Sequence, residues 1–173
     1  GPKTAEKILK GIGYLRSTNA YILYPHAVIE ARRLLAMVEA HPEVERALIA
    51  GSIRRRRETV RDVDIVAACR ETPASVAASF ARAGGVRDVV GAGGRSVSIR
   101  YVDGTVLDLH CVEPERFGIA LWRATGSETH ANELRAHAAA RGFTLAEDEL
   151  RDASGNVLPI PDEVALYDAL GLP

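Results

Sequence analysis

Short apolar runs and helical repeats of apolar residues alternate along this chain. Residues 44–50 and Val63–Cys69 are short, apolar runs that predict two strands of a sheet. Residues 96–102 and 105–112 flank an Asp-Gly pair, which is a strong signal for a hairpin between two further strands. The sequence therefore predicts a sheet in the first two-thirds of the chain.

Other stretches have apolar residues at helical spacing, and glycine or proline ends several of them. Strands give way to helices near Glu115, where we expect a soft boundary. Ser127 is expected to cap the helix that follows it, because a hydroxyl in this place accepts a backbone N–H. The predicted helices span residues 4–16, residue 25 to before Pro42, residue 73 to before Gly84, residue 128 to before Gly142, and residue 161 to before Gly171, with Val164 and Tyr167 as apolar positions of the last.

Composition excludes several classes of protein. Of the 173 residues, 47% are apolar and 26% are charged, which is the balance of a globular protein rather than of a disordered chain. The apolar runs are too short to span a bilayer. Two cysteines, Cys69 and Cys111, are too few for a disulfide scaffold, and we expect both to be buried thiols in a reducing cytoplasm.

Charge is distributed unevenly along the chain. The net charge is −1, yet residues 1–61 carry an excess of six positive charges and residues 145–173 an excess of six negative charges. A basic front suits a polyanionic partner, and the planar fork of arginine suits phosphate. A GC-rich genome, which favours arginine codons, would produce the same composition, and this alternative stays open.

Three aspartates form the strongest candidate site. Asp62 and Asp64 alternate along a predicted strand and therefore project from one face, while their neighbours point into the core. Asp108, flanked by Leu107 and Leu109, has the same pattern, and a hairpin would bring its strand alongside the first. Like charges this close are costly unless a cation lies between them, and three carboxylates suit one or two Mg²⁺ ions.

A candidate phosphate-binding segment precedes the aspartates. Gly51-Ser52 ends a predicted strand and offers backbone N–H groups and a hydroxyl, and residues 54–57 are all arginine. Such donors beside a metal site are typical of enzymes of phosphoryl transfer, in which positioning and charge neutralisation supply most of the catalysis. Each of these features alone is also typical of a solvated surface or an ordinary turn, and their joint order is what favours a site.

The motifs GS…RR…ETVRDVDIV, LDLH and TGSETHANELRAHAAARGF resemble those of family X DNA polymerases, particularly the bacterial branch and polymerase beta. The resemblance implies an α+β fold: a nucleotidyltransferase-type palm with a mixed β-sheet flanked by helices, plus a small helical/β thumb. It implies that residues 1–24 are a remnant of the fingers, at the end of a helix-hairpin-helix. Residues 25–115 would be the palm, which is the catalytic domain, and residues 116–173 the thumb.

The resemblance also implies roles for individual residues. As catalytic and metal-binding residues it implies Asp62, Asp64 and Asp108, with two Mg²⁺ ions that Mn²⁺ can replace. As nucleotide-binding residues it implies Gly51, Ser52, Arg55, Arg61, Arg123, Gly126 and Ser127. As DNA-binding residues it implies Lys3, Thr4, Arg95, Asn132 and Arg135.

The implied activity is that of a DNA-directed DNA polymerase in gap-filling DNA repair, which adds deoxynucleotides to a primer 3′-hydroxyl. The expected partners are a primer–template or gapped DNA and deoxynucleoside triphosphates, with no membrane, and the expected state is a monomer in the cytoplasm at the bacterial nucleoid. Two alternatives stay open. The first is another nucleotidyltransferase, acting on RNA or a small molecule. The second is a truncated, catalytically weak DNA-binding domain.

The sequence departs from the family pattern at several positions. Arg123-Ala124 replace a Tyr-Phe pair before the TGS motif, Ala131 stands where an asparagine is usual, and His110 stands where an arginine is common. A lyase-type domain would precede Gly1 and a phosphoesterase domain would follow Pro173. From this chain we therefore expect neither abasic-site lyase nor exonuclease activity.

Overall fold

The computed structural model describes residues 21–173. Three expectations lie outside the described residues: the helix at residues 4–16, the DNA contacts of Lys3 and Thr4, and most of the proposed fingers remnant. The first described elements are a short strand β1, which pairs antiparallel with a short strand β3. Their bounds are Ile22–Leu23 for β1 and Thr59–Val60 for β3.

A mixed five-stranded sheet forms the centre of the described chain, with strand order β2-β4-β7-β6-β5. Strands β4 and β7 run parallel, and the other neighbours run antiparallel. A mixed sheet with flanking helices confirms the predicted α+β class. The strand bounds are Val44–Ile49 for β2, Val63–Cys69 for β4, Val86–Gly93 for β5, Ser96–Tyr101 for β6 and Val106–Val112 for β7.

One face of this sheet is covered by two helices, α1 (Tyr24–Glu39) and α3 (Pro73–Phe80). Alternate residues of the strands, such as Ile65 and Leu109, are fully buried against them. Both cysteines belong to this core as buried thiols, as expected. The period-2 pattern of β4 and β7 thus directs apolar side chains to one face and leaves the aspartates on the other.

The sheet differs from the sequence-based expectation in three ways. Asp108 reaches the side of Asp64 through parallel pairing of β7 with β4, not through the hairpin, which joins β6 to β7. Strand β5 was missed, because its side chains are mostly exposed and lack a period-2 pattern. Gly51–Arg54 is a single helical turn, α2, rather than an open turn.

Helix α4 (Phe117–Thr125) lies between two cores. Phe117 and Leu121 pack on the second face of the sheet, against Val66 and Val112. Trp122 of the same helix packs into a separate C-terminal core, and it is buried as expected. The helix therefore joins the sheet to the C-terminal part of the chain.

Two further helices and a small sheet complete the C-terminal core around α4. Helix α5 is capped by Ser127, whose hydroxyl accepts the backbone N–H of His130, as predicted. In the last helix, Val164 is 69% exposed and Leu166 is buried, so the expectation for Val164 was wrong. The reason is a register that starts at the Asp162 cap rather than at Pro161. The bounds are Glu128–Ala140 for α5, Thr144–Leu145 for β8, Leu150–Arg151 for β9, Val157–Leu158 for β10 and Glu163–Ala169 for α6.

Among residues 21–173, none of the helices is both long and apolar enough to cross a membrane.

The contact between α4 and the loop before α6 gives a stability prediction. A Cβ added at Gly118 would overlap the backbone carbonyl of Asp162, and Gly118 N–H donates to the carbonyl of Ile160 at 2.9 Å. Gly118→Ala is therefore expected to cost about 1–3 kcal/mol, as overpacking of backbone contacts does. Thermal unfolding measures this as a drop in Tm of roughly 2–4 °C for each kcal/mol.

Gly84→Ala is the matched control, because a Cβ there meets nothing within 4 Å. Its Tm is expected to equal that of the wild type. Equal Tm values for both variants would show that the loop can move away from α4 without cost.

Candidate functional site

The parallel pairing of β4 with β7 is in register at the two aspartates, so that Asp64 lies directly beside Asp108. Asp62 lies just before the start of β4 and shares this face of the sheet. One carboxylate oxygen from each of the three residues lies within 4.8 Å of the others. All three side chains are partly buried, which makes this a compact acidic cluster open to solvent on one side.

Mutual repulsion and burial perturb the cluster. Desolvation, followed by the charges of Asp62 and Asp108, raises the pKa of Asp64 from 3.8 to about 7, although Arg55 and the Ser52 backbone N–H oppose this rise. Desolvation and the charge of Asp108 also raise the pKa of Asp62. A divalent cation would relieve both effects, and hard carboxylate oxygens are the donors that Mg²⁺ prefers. The donor set therefore fits a metal.

Gly51 makes room for this arrangement. It has a φ of +59°, and a Cβ there would overlap the carboxylate of Asp64. The backbone N–H of Ala50 donates to the carbonyl of Asp64 at 2.8 Å, which fixes the turn against β4. The structure thus assigns Gly51 a steric reason to be glycine, in addition to the nucleotide contact expected for it.

Ser52 presents an unused hydroxyl beside the acidic cluster. Within residues 21–173 its buried Oγ has no hydrogen-bond partner. A buried hydroxyl without a partner is energetically costly and is a common feature of ligand-binding positions.

The helical turn α2 ends at Arg54, so the first arginine of the run lies in the turn and the others follow it. Arg55 donates through Nη1 to the carbonyl of Thr125, and the same nitrogen is 3.2 Å from where a Cβ on Gly126 would lie. Arg54 donates to the Thr125 hydroxyl at 2.8 Å and forms a two-pronged ion pair with Glu163 at 2.8 and 2.5 Å. Both arginines therefore lie against the turn that carries the TGS motif.

That turn adopts a special backbone conformation. Gly126 has a φ of +67°, and the Gly126–Ser127 peptide bond is cis. Gly126 lies close to Arg55, although the two residues belong to different elements, and Ser127 follows Gly126 in the same turn.

Two other predicted nucleotide-binding arginines have partners within the chain. Arg61 lies over the ring of Tyr21 at 4.5 Å and donates to its hydroxyl. Arg123 donates to the backbone carbonyl of Glu147 at 3.1 Å and pairs with its carboxylate at 3.2 Å. The structure brings neither into direct contact with Ser52 or Arg55.

The predicted DNA-binding residues lie apart from one another. Arg95 is engaged by Glu113 at 2.8 Å and by Asp148. Arg135 lies over Trp122 at 5.7 Å, and its guanidinium donates to exposed Asn132 at 3.1 Å. Asn132 and Arg135 therefore form one exposed group on α5, and Arg95 belongs to an ion-pair network elsewhere.

A cleft of about 620 Å³ opens between the sheet and the C-terminal part, on the face of β7 that carries Asp108. His110, two residues after Asp108 on the same face, contributes to its wall and contacts the Ser96 hydroxyl at 2.9 Å. Desolvation lowers the pKa of His110, although the charge of Asp108 opposes this. Burial in the cleft wall therefore favours the neutral form of His110.

Comparison with known proteins supports the resemblance inferred from the motifs. Residues 120–173 match the family model described as DNA polymerase beta thumb. The whole chain is similar to DNA polymerase/3'-5' exonuclease PolX of Bacillus subtilis (strain 168), with 29% identity over 176 residues. The resemblance to the family X DNA polymerases is confirmed. The chain covers 31% of the length of that family X relative.

The family X motifs give no sign of the residues that hold the arginines. Glu163 and Thr125 fix Arg54, and Glu147 and Asp148 fix Arg123 and Arg95. The only sequence signal was the acidic excess of residues 145–173. These contacts join segments more than twenty residues apart, so spacing in the sequence does not reveal them.

The raised pKa of Asp64 gives a prediction on stability without metal. An acid with a higher pKa in the folded state binds more protons when folded, so its ionisation lowers stability as pH rises from 3.8 towards 7. Asp64→Asn is therefore expected to raise the Tm at pH 8 by on the order of 5 °C, since each kcal/mol shifts Tm by about 2–4 °C. At pH 4 the two proteins should differ little.

Thermal unfolding in EDTA across this pH range measures the difference. Asp88→Asn is the control, because Asp88 is exposed on β5 and pairs only with Arg87 among the described residues. Adding Mg²⁺ should stabilise the wild type more than D64N. The same pH profile for the wild type and D64N would contradict a shifted pKa at Asp64.

Proposed function

We propose that this chain is the palm and thumb of a DNA-directed DNA polymerase that fills gaps during DNA repair. The observation that carries the proposal is the acidic cluster beside the free hydroxyl of Ser52 and the guanidinium of Arg55. The similarity to the thumb of polymerase beta and to a bacterial polymerase supports DNA as the substrate. In this proposal residues 25–115 are a nucleotidyltransferase-type palm and residues 116–173 the thumb.

The acidic cluster would hold two Mg²⁺ ions, or Mn²⁺ in their place. When bound, these ions supply positive charge that neutralises the triphosphate and activates the attacking hydroxyl. Asp62 and Asp64 would hold both ions, as the resemblance implies, and all three carboxylates are close enough to share them. Asp108 would bind one of the ions and help to deprotonate the primer 3′-hydroxyl.

The triphosphate would be bound next to the cluster. The Ser52 hydroxyl is buried and has no partner among residues 21–173, so it can donate to a phosphate oxygen without losing another bond. Arg55 donates one N–H to the Thr125 carbonyl, and its other N–H groups would donate to phosphate. Gly126 and Ser127, on the turn that Arg55 contacts, would lie beside the sugar and base.

The exposed group on α5 would bind the DNA duplex. Arg135 is held by Trp122 and Asn132, so its guanidinium is ordered before DNA arrives. Deoxynucleoside triphosphates and gapped DNA are the proposed substrates of a monomer in the bacterial cytoplasm.

Loss of the third carboxylate tests the mechanism. Asp108→Ala is expected to reduce primer extension by at least about 10³-fold, while nucleotide binding changes little, because the phosphate contacts are elsewhere. Single-nucleotide insertion into a gapped duplex, with Mg²⁺ or Mn²⁺, measures extension. Titration with a labelled nucleotide measures binding.

Asp88→Ala is the control, since it removes an exposed carboxylate from the same sheet. Near-normal extension by D108A would overturn the mechanism. Extension of labelled RNA acceptors in preference to DNA would instead favour a different nucleotidyltransferase.

Loss of the phosphate contact tests the nucleotide site. Arg55→Ala is expected to raise the KM for the nucleotide roughly ten- to hundredfold, because a hydrogen bond to a charged group is worth about 1.5–3 kcal/mol. Steady-state kinetics of insertion measures KM and kcat separately.

Arg57→Ala is the matched control, because Arg57 is an exposed member of the same run. It should leave KM within about twofold, as surface charges contribute little. An unchanged KM for R55A would mean that another residue binds the triphosphate.

A further inference from the structure

Two arginines from different elements line the cleft that His110 borders. Arg95 comes from the turn between β5 and β6, and Arg123 from the last turn of α4. The cleft has a volume of about 620 Å³ and is open to solvent. Its wall includes His110, which lies two residues after Asp108 on the same face of β7.

Both arginines pair with one short segment of the C-terminal part, and Arg95 also pairs with Glu113 at 2.8 Å. Strands β8 and β9 form a hairpin closed by a hydrogen bond from Ala146 N–H to the Glu149 carbonyl at 2.9 Å. The two residues at its tip are Glu147 and Asp148. We call these two residues the acidic tip.

Each residue of the acidic tip holds one arginine. Glu147 pairs with Arg123 at 3.2 Å, and Asp148 pairs with Arg95. The carboxylates of the tip line the cleft together with the arginines, so the cations face its interior already paired. Consecutive acidic residues present two negative charges in a row, as a phosphodiester backbone does.

We propose that the acidic tip occupies the place of DNA phosphates in the free protein, and that a DNA strand entering the cleft displaces it from Arg95 and Arg123. This inference rests on the proposed function, because it takes DNA as the polyanion. The tip would act as an internal competitor that admits a DNA strand but keeps the two arginines from binding weaker anions.

The pairs are weak enough to be exchanged. The side chains of Arg95 and Asp148 are 36% and 29% exposed, and those of Arg123 and Glu147 are 44% and 80% exposed. Ion pairs with this much water around them contribute little and are screened by salt. A DNA phosphate that replaces a carboxylate also releases counterions from the DNA, which favours the exchange.

Arg116 provides an internal comparison. It pairs with Asp148 at 3.0 Å and with Glu113 at 3.7 Å, so it belongs to the same network as Arg95. It does not line the cleft, although Arg95 does. Removing either arginine takes one positive charge from the same carboxylate, and only one of them should affect DNA in the cleft.

The experiment measures the affinity of the chain for a gapped DNA duplex as a function of salt. For Arg95→Gln we expect weaker binding and a slope of log K against log[salt] that is smaller by about 0.9, the value for one lost phosphate contact. For Arg116→Gln we expect the slope of the wild type. Equal slopes for the wild type and R95Q would overturn the displacement.

Asp148→Asn tests the competitor itself. Removing the Asp148 charge should tighten DNA binding by roughly two- to fivefold at fixed salt, which corresponds to the strength of a partly exposed ion pair. The slope should not change, because the same phosphate contact forms in both proteins. Asp168→Asn, an exposed acid on α6, is the control for the change in net charge.

Other outcomes would separate the two proposals. A slope raised by about 0.9 in D148N would mean that Arg95 stays paired in the wild-type complex, which overturns the displacement but not DNA binding. If D148N increased the affinity for DNA no more than D168N does, the displacement would also be overturned, but DNA binding would not. No binding of gapped DNA by the wild type would overturn the proposed function and, with it, this inference.

Discussion

The in-register parallel pairing of β4 with β7 is the constraint on which the rest of this structure depends. It sets Asp64 directly beside Asp108 and so concentrates negative charge at one point of the sheet. The unfavourable electrostatics persist because the opposite faces of these strands are packed in a fully buried core. Packing energy thus holds together carboxylates that would otherwise separate, and leaves them ready to bind a cation.

Neighbouring elements are adapted to this point of charge. Gly51 lacks a side chain where the Asp64 carboxylate lies, and the turn that follows brings the Ser52 backbone N–H and the charge of Arg55 to it. Arg55 in turn contacts the carbonyl of Thr125, which links the sheet to the TGS turn. Candidate groups for binding an anion and for binding a cation therefore share one short stretch of backbone.

Much of the fold could be predicted from the sequence, because its information is local. The bounds of β4, the burial of Trp122 and the Ser127 cap follow from periodicity and from the chemistry of single residues. The identity of neighbouring strands does not, since alternation says which face a residue occupies and not which strand lies beside it. Strand β5 was missed for a related reason, as an exposed edge strand has no buried face to mark it.

The same distinction, between local pattern and contacts of distant segments, applies to the candidate site. Alternation placed Asp62, Asp64 and Asp108 on the non-core faces of their strands, whereas the different partners of Arg54, Arg55 and Arg95 depend on contacts between distant segments. Charge runs read as uniform in a sequence, but each member has its own surroundings once the chain folds.

Helix α4 also has a consequence for how such domains can be exchanged. Phe117 and Leu121 belong to the core beneath the sheet, while Ile119 and Trp122 belong to the C-terminal core. A chimera joined at residue 120, where the match to the thumb model begins, would combine half of a helix from each parent. The side chains of the two halves would then have to pack into both cores, each half beside elements of the other parent. A junction before Pro114 would transfer the helix whole and confine any mismatch to its contact with the sheet.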